Sequence, residues 1–156
     1  MQPSTFDEVA FFRALGLSGV RALLIGRRAL VLLGLPVLTA DYDFWIHIDD
    51  AARFNDLAAQ FDLVPTRTPD QARQAGRYVL ENDEHVDVLV ARSIPIADGD
   101  AIDFEGLWDR RQSLALADVR VQIPSIDDLI LTKRIASRPR DIEDIRLLRA
   151  LRDTAG

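Results

Sequence analysis

Apolar residues recur along this chain either every three to four positions or every second position, and each switch of period marks a new element. In residues 5–16, Val9, Phe12 and Leu15 form one helical stripe; Thr5 and Glu8 have capping-box spacing, and Gly16 offers a stop. Residues 21–26 are a short apolar run ending at Gly26, the mark of a buried strand, and 27–36 give one or two helical turns before Gly34 and Pro36. The period becomes two over 42–48, a strand. A helix over 49–61 follows, with Asp49 or Asp50 as its cap. Residues 63–76 read as a loop with a turn of helix, and 77–82 with 85–91 as a β-hairpin turning at 82–84. Next come a loop (96–106) and then a helical turn with one or two strands (107–124). A helix over 125–137 has Ser125 and Asp128 as a capping box, and a last helix over 138–153 tolerates Pro139 in its first turn. There is no repeat, linker or low-complexity tract. The pattern predicts one domain over 1–156 of α/β (α+β) class, a short mixed sheet flanked by helices.

The strand over 42–48 carries more than structure. Side chains alternate between two faces, so Tyr42, Phe44, Ile46 and Ile48 share a core face while Asp41, Asp43, Trp45 and His47 share the other. On the second hairpin strand, His85, Asp87 and Leu89 oppose Val86, Val88 and Val90 in the same manner. If these strands are neighbours, Asp41, Asp43 and Asp87 converge. Three carboxylates without a cation would raise one another's pKa values and destabilise the fold. Around Mg²⁺ they make sense, because that ion prefers oxygen ligands and bridges a few carboxylates to substrate phosphates. Trp45 shares the aspartate face and fits core packing better than base stacking.

The helices add charged residues on apolar faces. At about 100° per residue, Lys133 lies over Ile126, Leu129 and Ile130. In the last helix Ile142, Ile145, Leu147, Leu148 and Leu151 form the apolar arc; Asp141 and Asp144 fall within it, and Glu143 points away. Half-buried charges need partners. The two acids either serve the helix N-terminus and pair with Arg138 or Lys133, or take part in a site.

Composition narrows the class. Of 156 residues, 48% are apolar and 28% charged, the balance of a globular domain, and the net charge of −6 argues against a generic nucleic-acid coat. Residues 133–152 nonetheless hold seven Lys or Arg against three acids, a local basic face able to meet an anion. The absence of cysteine excludes disulfides and thiolate metal sites. No window approaches the roughly 18 apolar residues of a membrane span, and the first residues lack the pattern of a signal peptide, so a cytoplasmic protein without membrane contact is expected.

Two motifs then stand in order. Gly34-Leu35-Pro36-Val37-Leu38-Thr39-Ala40-Asp41-Tyr42-Asp43 follows a strand, a glycine turn and a short helix; residues 123–148 close the chain with a lysine and an R-x-x-D. Together they resemble the DNA polymerase β-like nucleotidyltransferase superfamily, in the small prokaryotic branch of abortive-infection and toxin–antitoxin nucleotidyltransferases, over about residues 22–151. The resemblance implies that Asp41, Asp43 and Asp87 hold one or two catalytic Mg²⁺ ions. It implies that the turn at Gly26 meets the phosphates of an NTP, that Lys133 contacts the triphosphate, and that Asp141 assists the acceptor or orients Lys133. The branch usually has a glycine or serine where this chain has Arg27, which could contact a phosphate or block the nucleotide; Arg28 extends the positive charge.

The expected reaction moves an NMP from an NTP to an acceptor hydroxyl of a tRNA, a protein or a small molecule, with pyrophosphate released. A toxin-like role with a cognate antitoxin follows from the resemblance alone. The alternative is a non-catalytic nucleotide- or protein-binding relative of the same fold. A metallohydrolase using His47 and His85 beside the aspartates is a third reading.

Overall fold

The computed structural model describes residues 6–96 and 99–155. The first helix, α1 (Glu8–Ser18), is followed by β1 (Ala22–Ile25), α2 (Gly26–Leu32) and β2 (Tyr42–Ile46). A 3₁₀ turn (Ile48–Asp50) leads into α3 (Ala51–Ala59), a two-residue β3 (Val64–Pro65) and α4 (Pro69–Ala75). The hairpin is β4 (Arg77–Glu81) and β5 (His85–Leu89). Then come β6 (Ser93–Pro95), β7 (Ala101–Asp103), α5 (Phe104–Asp109), β8 (Gln112–Leu116) and β9 (Val119–Ile123), and finally α6 (Ile126–Thr132) and α7 (Pro139–Ala155).

The main sheet has the order β1-β2-β5-β4-β3. Only β2 and β5 run parallel, which the α3–α4 crossover permits; the other neighbours are antiparallel. Both faces of β2 are covered, and Trp45 is a core residue as its sequence context favoured. Phe44 packs with Phe11, Phe12 and Phe54 on one side, while Trp45 is fully buried with Leu23, Phe104 and Leu107 on the other. The second layer comes from α5 and the β6–β7 ribbon, formed where the sequence suggested a loop, and the indole Nε1 donates to the Ala91 carbonyl at 2.8 Å. That second core leaves only the end of β2 where Asp41 and Asp43 stand without an apolar cover.

Several boundaries differ from the sequence pattern. The α1 helix runs past Gly16 and stops at Gly19, whose φ of +75° suits a left-handed C-cap. Its N-cap is Asp7, which accepts from the Ala10 N–H at 3.0 Å; Thr5 lies outside the described residues. The predicted loop over 96–106 includes residues 97 and 98, which also lie outside them. At α3 the N-cap position is Asp50, but its carboxylate makes no cap bond, because Arg21 and Arg53 take it. Ser125 caps α6 by accepting from the Asp128 N–H at 3.1 Å, and the helix ends early enough to leave Lys133 at its C-cap. On α7, Asp141, Asp144 and Leu148 face inward as expected, whereas Ile142 is 57% exposed and leaves the apolar arc. No described helix is long and apolar enough to cross a membrane.

Candidate active site

A cleft of about 470 Å³ opens at the uncovered end of β2, bounded by the Gly26 turn, residues 38–41, β5, and the junction of α6 and α7. The sheet register builds its floor. Asp43 is the partner of Ile25 on β1 and of Asp87 on β5, so two carboxylates stand side by side on parallel strands and Gly26 follows on the next strand over. Gly26 has φ +70°, and a β-carbon there would lie 2.4 Å from Asp43 Oδ2; the turn is glycine both for its backbone and for this approach. Asp41 is exposed at the strand mouth, its N–H donating to Thr39 Oγ1 at 3.2 Å. Asp87 is half-buried and touches His85 Nε2 at 3.2 Å.

These carboxylates share one wall without closing on a common point: no three His, Asp or Glu side chains among the described residues are gathered as a ready metal cage. Their electrostatics are nonetheless those of a site short of cation. Burial, then the neighbouring Asp87 and Asp41 charges, push Asp43 up to about 6, against the opposing pull of Lys133 and Arg138.

The other wall is cationic. Lys133 is the only lysine in a chain with 19 basic residues, and it is buried at 7% exposure. Its Nζ donates to Asp144 Oδ2 at 2.9 Å and stands 3.9 Å from Asp141 Oδ1. Asp144 is fully buried and also accepts two bonds from Arg27, through Nε and Nη2 at 3.1 Å each. Asp141 accepts from the Arg138 N–H at 2.9 Å and from its Nε at 3.0 Å. Burial alone would raise Asp141, but these bonds and the Arg138 charge win and hold it below the usual carboxylate range.

Of the residues singled out in the sequence, Gly26, Arg27, Asp41, Asp43, Asp87, Lys133 and Asp141 all line the cleft. Arg28 does not. Its guanidinium lies 4.2 Å over the Tyr42 ring, because successive positions on a helix point about 100° apart and Tyr42 is on the opposite face of β2. His47 is also elsewhere, buried with Nε2 2.8 Å from Glu105, so the histidine-based metallohydrolase loses a ligand. The basic face read from residues 133–152 supplies Arg138 and Arg140 to the cleft wall, with Arg138 paired to Asp141 as expected; sequence reasoning missed Arg77. Arg77 was within reach: a hairpin turning at 82–84 pairs Val79 with Asp87 and Arg77 with Leu89, on the aspartate face. The side chains of Arg77 and Arg140 have no ion-pair or hydrogen-bond partner among the described residues.

No family model and no curated protein matches the chain. Solved structures do. The crystal structure of a "putative nucleotidyltransferase (TM1012) from Thermotoga maritima" superposes with a TM-score of 0.62 at 16% identity, over 88% of this chain and 87% of that one. The solution structure of the antibiotic-resistance factor ANT(2'')-Ia gives 0.65 at 14% identity, over 90% and 80%. The likeness establishes the architecture: a mixed sheet flanked by helices, in the nucleotidyltransferase fold.

Proposed function

We propose that this chain is a Mg²⁺-dependent nucleotidyltransferase that moves an NMP from an NTP to an acceptor hydroxyl and releases pyrophosphate. The observation that carries the reading is the side-by-side placement of Asp43 and Asp87 on parallel strands, facing a cationic wall that holds the chain's single lysine. The two structural neighbours support it at the level of fold.

Asp43 and Asp87, with Asp41 at the strand mouth, are the residues that would hold the metal. The donor set fits: it is all oxygen, and the burial and acidic neighbours that push Asp43 up to about 6 would be offset by a bound cation. Mg²⁺ takes only one or two protein carboxylates beside substrate phosphates, so a loose acidic wall suffices. When bound, it supplies neutralisation and orientation of phosphate oxygens.

The chain's own residues do the rest. Gly26 lets phosphates approach its backbone, since no β-carbon stands in the way. The Lys133 ammonium offers a charge to the triphosphate, and Asp141 keeps Arg138 folded against the same wall. In the reaction a bond forms between the acceptor oxygen and the α-phosphorus as the bond to the β-phosphate oxygen breaks. Pyrophosphate leaves and the hydroxyl proton passes to solvent or to a carboxylate of the acidic wall. Catalysis then rests on positioning and on charge neutralisation.

The acceptor is a tRNA, a protein or a small molecule; unpartnered Arg77 and Arg140 favour one carrying negative charge. A toxin-like role with a cognate antitoxin rests on the sequence resemblance. The test is label transfer from each of the four α-labelled NTPs into cell extract with Mg²⁺, comparing the natural chain with Asp43→Ala. Label on RNA, protein or a small molecule with the natural chain alone establishes the activity and names the acceptor class. Mg²⁺-dependent nucleotide binding without transfer would instead mark the chain as the non-catalytic relative.

A further inference from the structure

Arg27 stands at the phosphate-facing turn but does not point its fork into the cleft. It reaches α7 and grips Asp144, which follows it by 117 residues. Asp144 Oδ2 accepts from both Arg27 Nε and Lys133 Nζ, and Oδ1 accepts from Arg27 Nη2. The third guanidinium nitrogen, Nη1, donates to the Leu38 carbonyl at 3.2 Å, in the segment leading to Asp41 and Asp43. Asp144 is completely buried and does not itself line the cleft, so its charge is answered by these two cations.

We propose that Arg27 is a positioning residue for Lys133, acting through the carboxylate they share. This rests on the nucleotidyltransferase reading for its consequence and on geometry alone for its mechanism. A buried carboxylate with one cationic partner holds that partner tightly, because the alternative is an unpaired charge in a poorly solvated site. With Arg27 supplying two bonds, Asp144 is satisfied on both oxygens and Lys133 contributes only one. An ammonium has three protons. Asp141, at 3.9 Å, is beyond hydrogen-bond distance and takes none of them, so Lys133 keeps donors for an anion in the cleft. Arginine suits the task because its planar fork meets both carboxylate oxygens at once, and a lysine cannot. The side chain that seemed able to block the nucleotide is thereby drawn aside, and the cleft stays open.

The chain's single lysine makes the test direct. Protein grown with isotope-labelled lysine shows one lysine side-chain signal by NMR, that of Lys133. In Arg27→Leu, without nucleotide, this signal is expected to shift as Asp144 takes the ammonium for itself. The KM for NTP is expected to rise about tenfold, the scale of one lost charge-assisted contact. Arg27→Gln, which returns a donor without the charge or the fork and adds no second lysine, should move the signal by a smaller amount. The double variant Arg27→Leu/Asp144→Leu separates positioning from packing. It should bring nucleotide binding back toward natural strength, because the carboxylate that captures Lys133 in the single variant is gone, whereas a loss caused by packing at Arg27 would remain. A lysine signal unmoved in both Arg27→Leu and Arg27→Gln overturns the proposal, as does a KM in the double variant no better than in Arg27→Leu. If Arg27→Leu does not fold, the Arg27→Gln signal decides alone. If the natural chain turns over no NTP, the reading of function fails, and the lysine signal still decides whether Arg27 sets Lys133.

Discussion

Asp50 and Asp144 are both buried aspartates gripped by an arginine fork and a second cation, yet they sit in different kinds of surroundings. Asp50 accepts from the Arg21 N–H at 2.9 Å, from Arg21 Nε and Nη2 at 3.0 and 3.2 Å, and from Arg53 Nη2 at 2.6 Å. Burial raises Asp50, but these bonds more than offset it and leave the group at about 2. The cluster is closed: it ties the start of β1 to α3 and lines no part of the cleft. Asp144 is as well satisfied, but one of its partners, Lys133, faces a cavity across which burial and acidic neighbours push Asp43 up to about 6. A saturated ion cluster locks a fold. A cluster beside a carboxylate of raised pKa and two arginines without partners among the described residues leaves room for a ligand, and strongly perturbed acids in clefts mark functional sites.

Substitutions can break this contrast. The largest expected effect is on activity: Asp43→Asn should cut transfer on the order of 10³-fold, the range for losing a group that neutralises transition-state charge. The same variant should be more stable than the natural chain at pH 7, by up to about 3 kcal/mol at 1.36 kcal/mol per pKa unit, because it removes a carboxylate disfavoured in the folded state. Paired assays of label transfer and urea unfolding read both numbers. Asp50→Asn should do the reverse, costing roughly 2–3 kcal/mol while the residual fold keeps its kcat, since a charge-assisted bonding centre is lost far from the cleft. A variant of Asp50 that abolished turnover without loss of stability would erase the distinction.

Gly26→Ala touches both properties. A left-handed backbone and a β-carbon 2.4 Å from Asp43 Oδ2 should cost about 2 kcal/mol in thermal or denaturant unfolding and weaken nucleotide binding as well.

pH sharpens the contrast without a mutation. The folded pKa of Asp43 is raised from 3.8 to about 6, so its contribution is complete below about pH 4 and is lost as pH rises to 6. Asp50 is lowered from 3.8 to about 2, so its contribution is present above about pH 4 and is lost as pH falls toward 2. Denaturant melts of the natural chain, Asp43→Asn and Asp50→Asn should show slopes of opposite sign in these two windows, and saturating Mg²⁺ should flatten the upper one. The smallest effect belongs to Arg77→Gln. Its exposed, unpartnered side chain should leave stability within about 0.5 kcal/mol and raise the acceptor KM only a few-fold, with the NTP KM unchanged.

Periodicity alone determined a good deal. The alternation in 42–48 and 85–91 placed Asp43 and Asp87 on matching strand faces, because a two-residue period needs no knowledge of the partner. The helical period placed Lys133, Asp141 and Asp144 on inward faces for the same reason. Other features depended on what packs against what. Trp45 is the core residue its sequence context favoured, but the cover of α5 and the β6–β7 ribbon over its face was not legible, because short irregular strands leave little periodic trace. Whether Arg27 and Arg28 meet phosphates could not be read from their adjacency; a ring on β2 drew one away and an aspartate on α7 claimed the other. Local sequence sets which way a side chain points. Long-range packing sets which charge it finds there, and in this molecule one ion pair that shapes the cleft, Arg27 with Asp144, joins residues 117 positions apart.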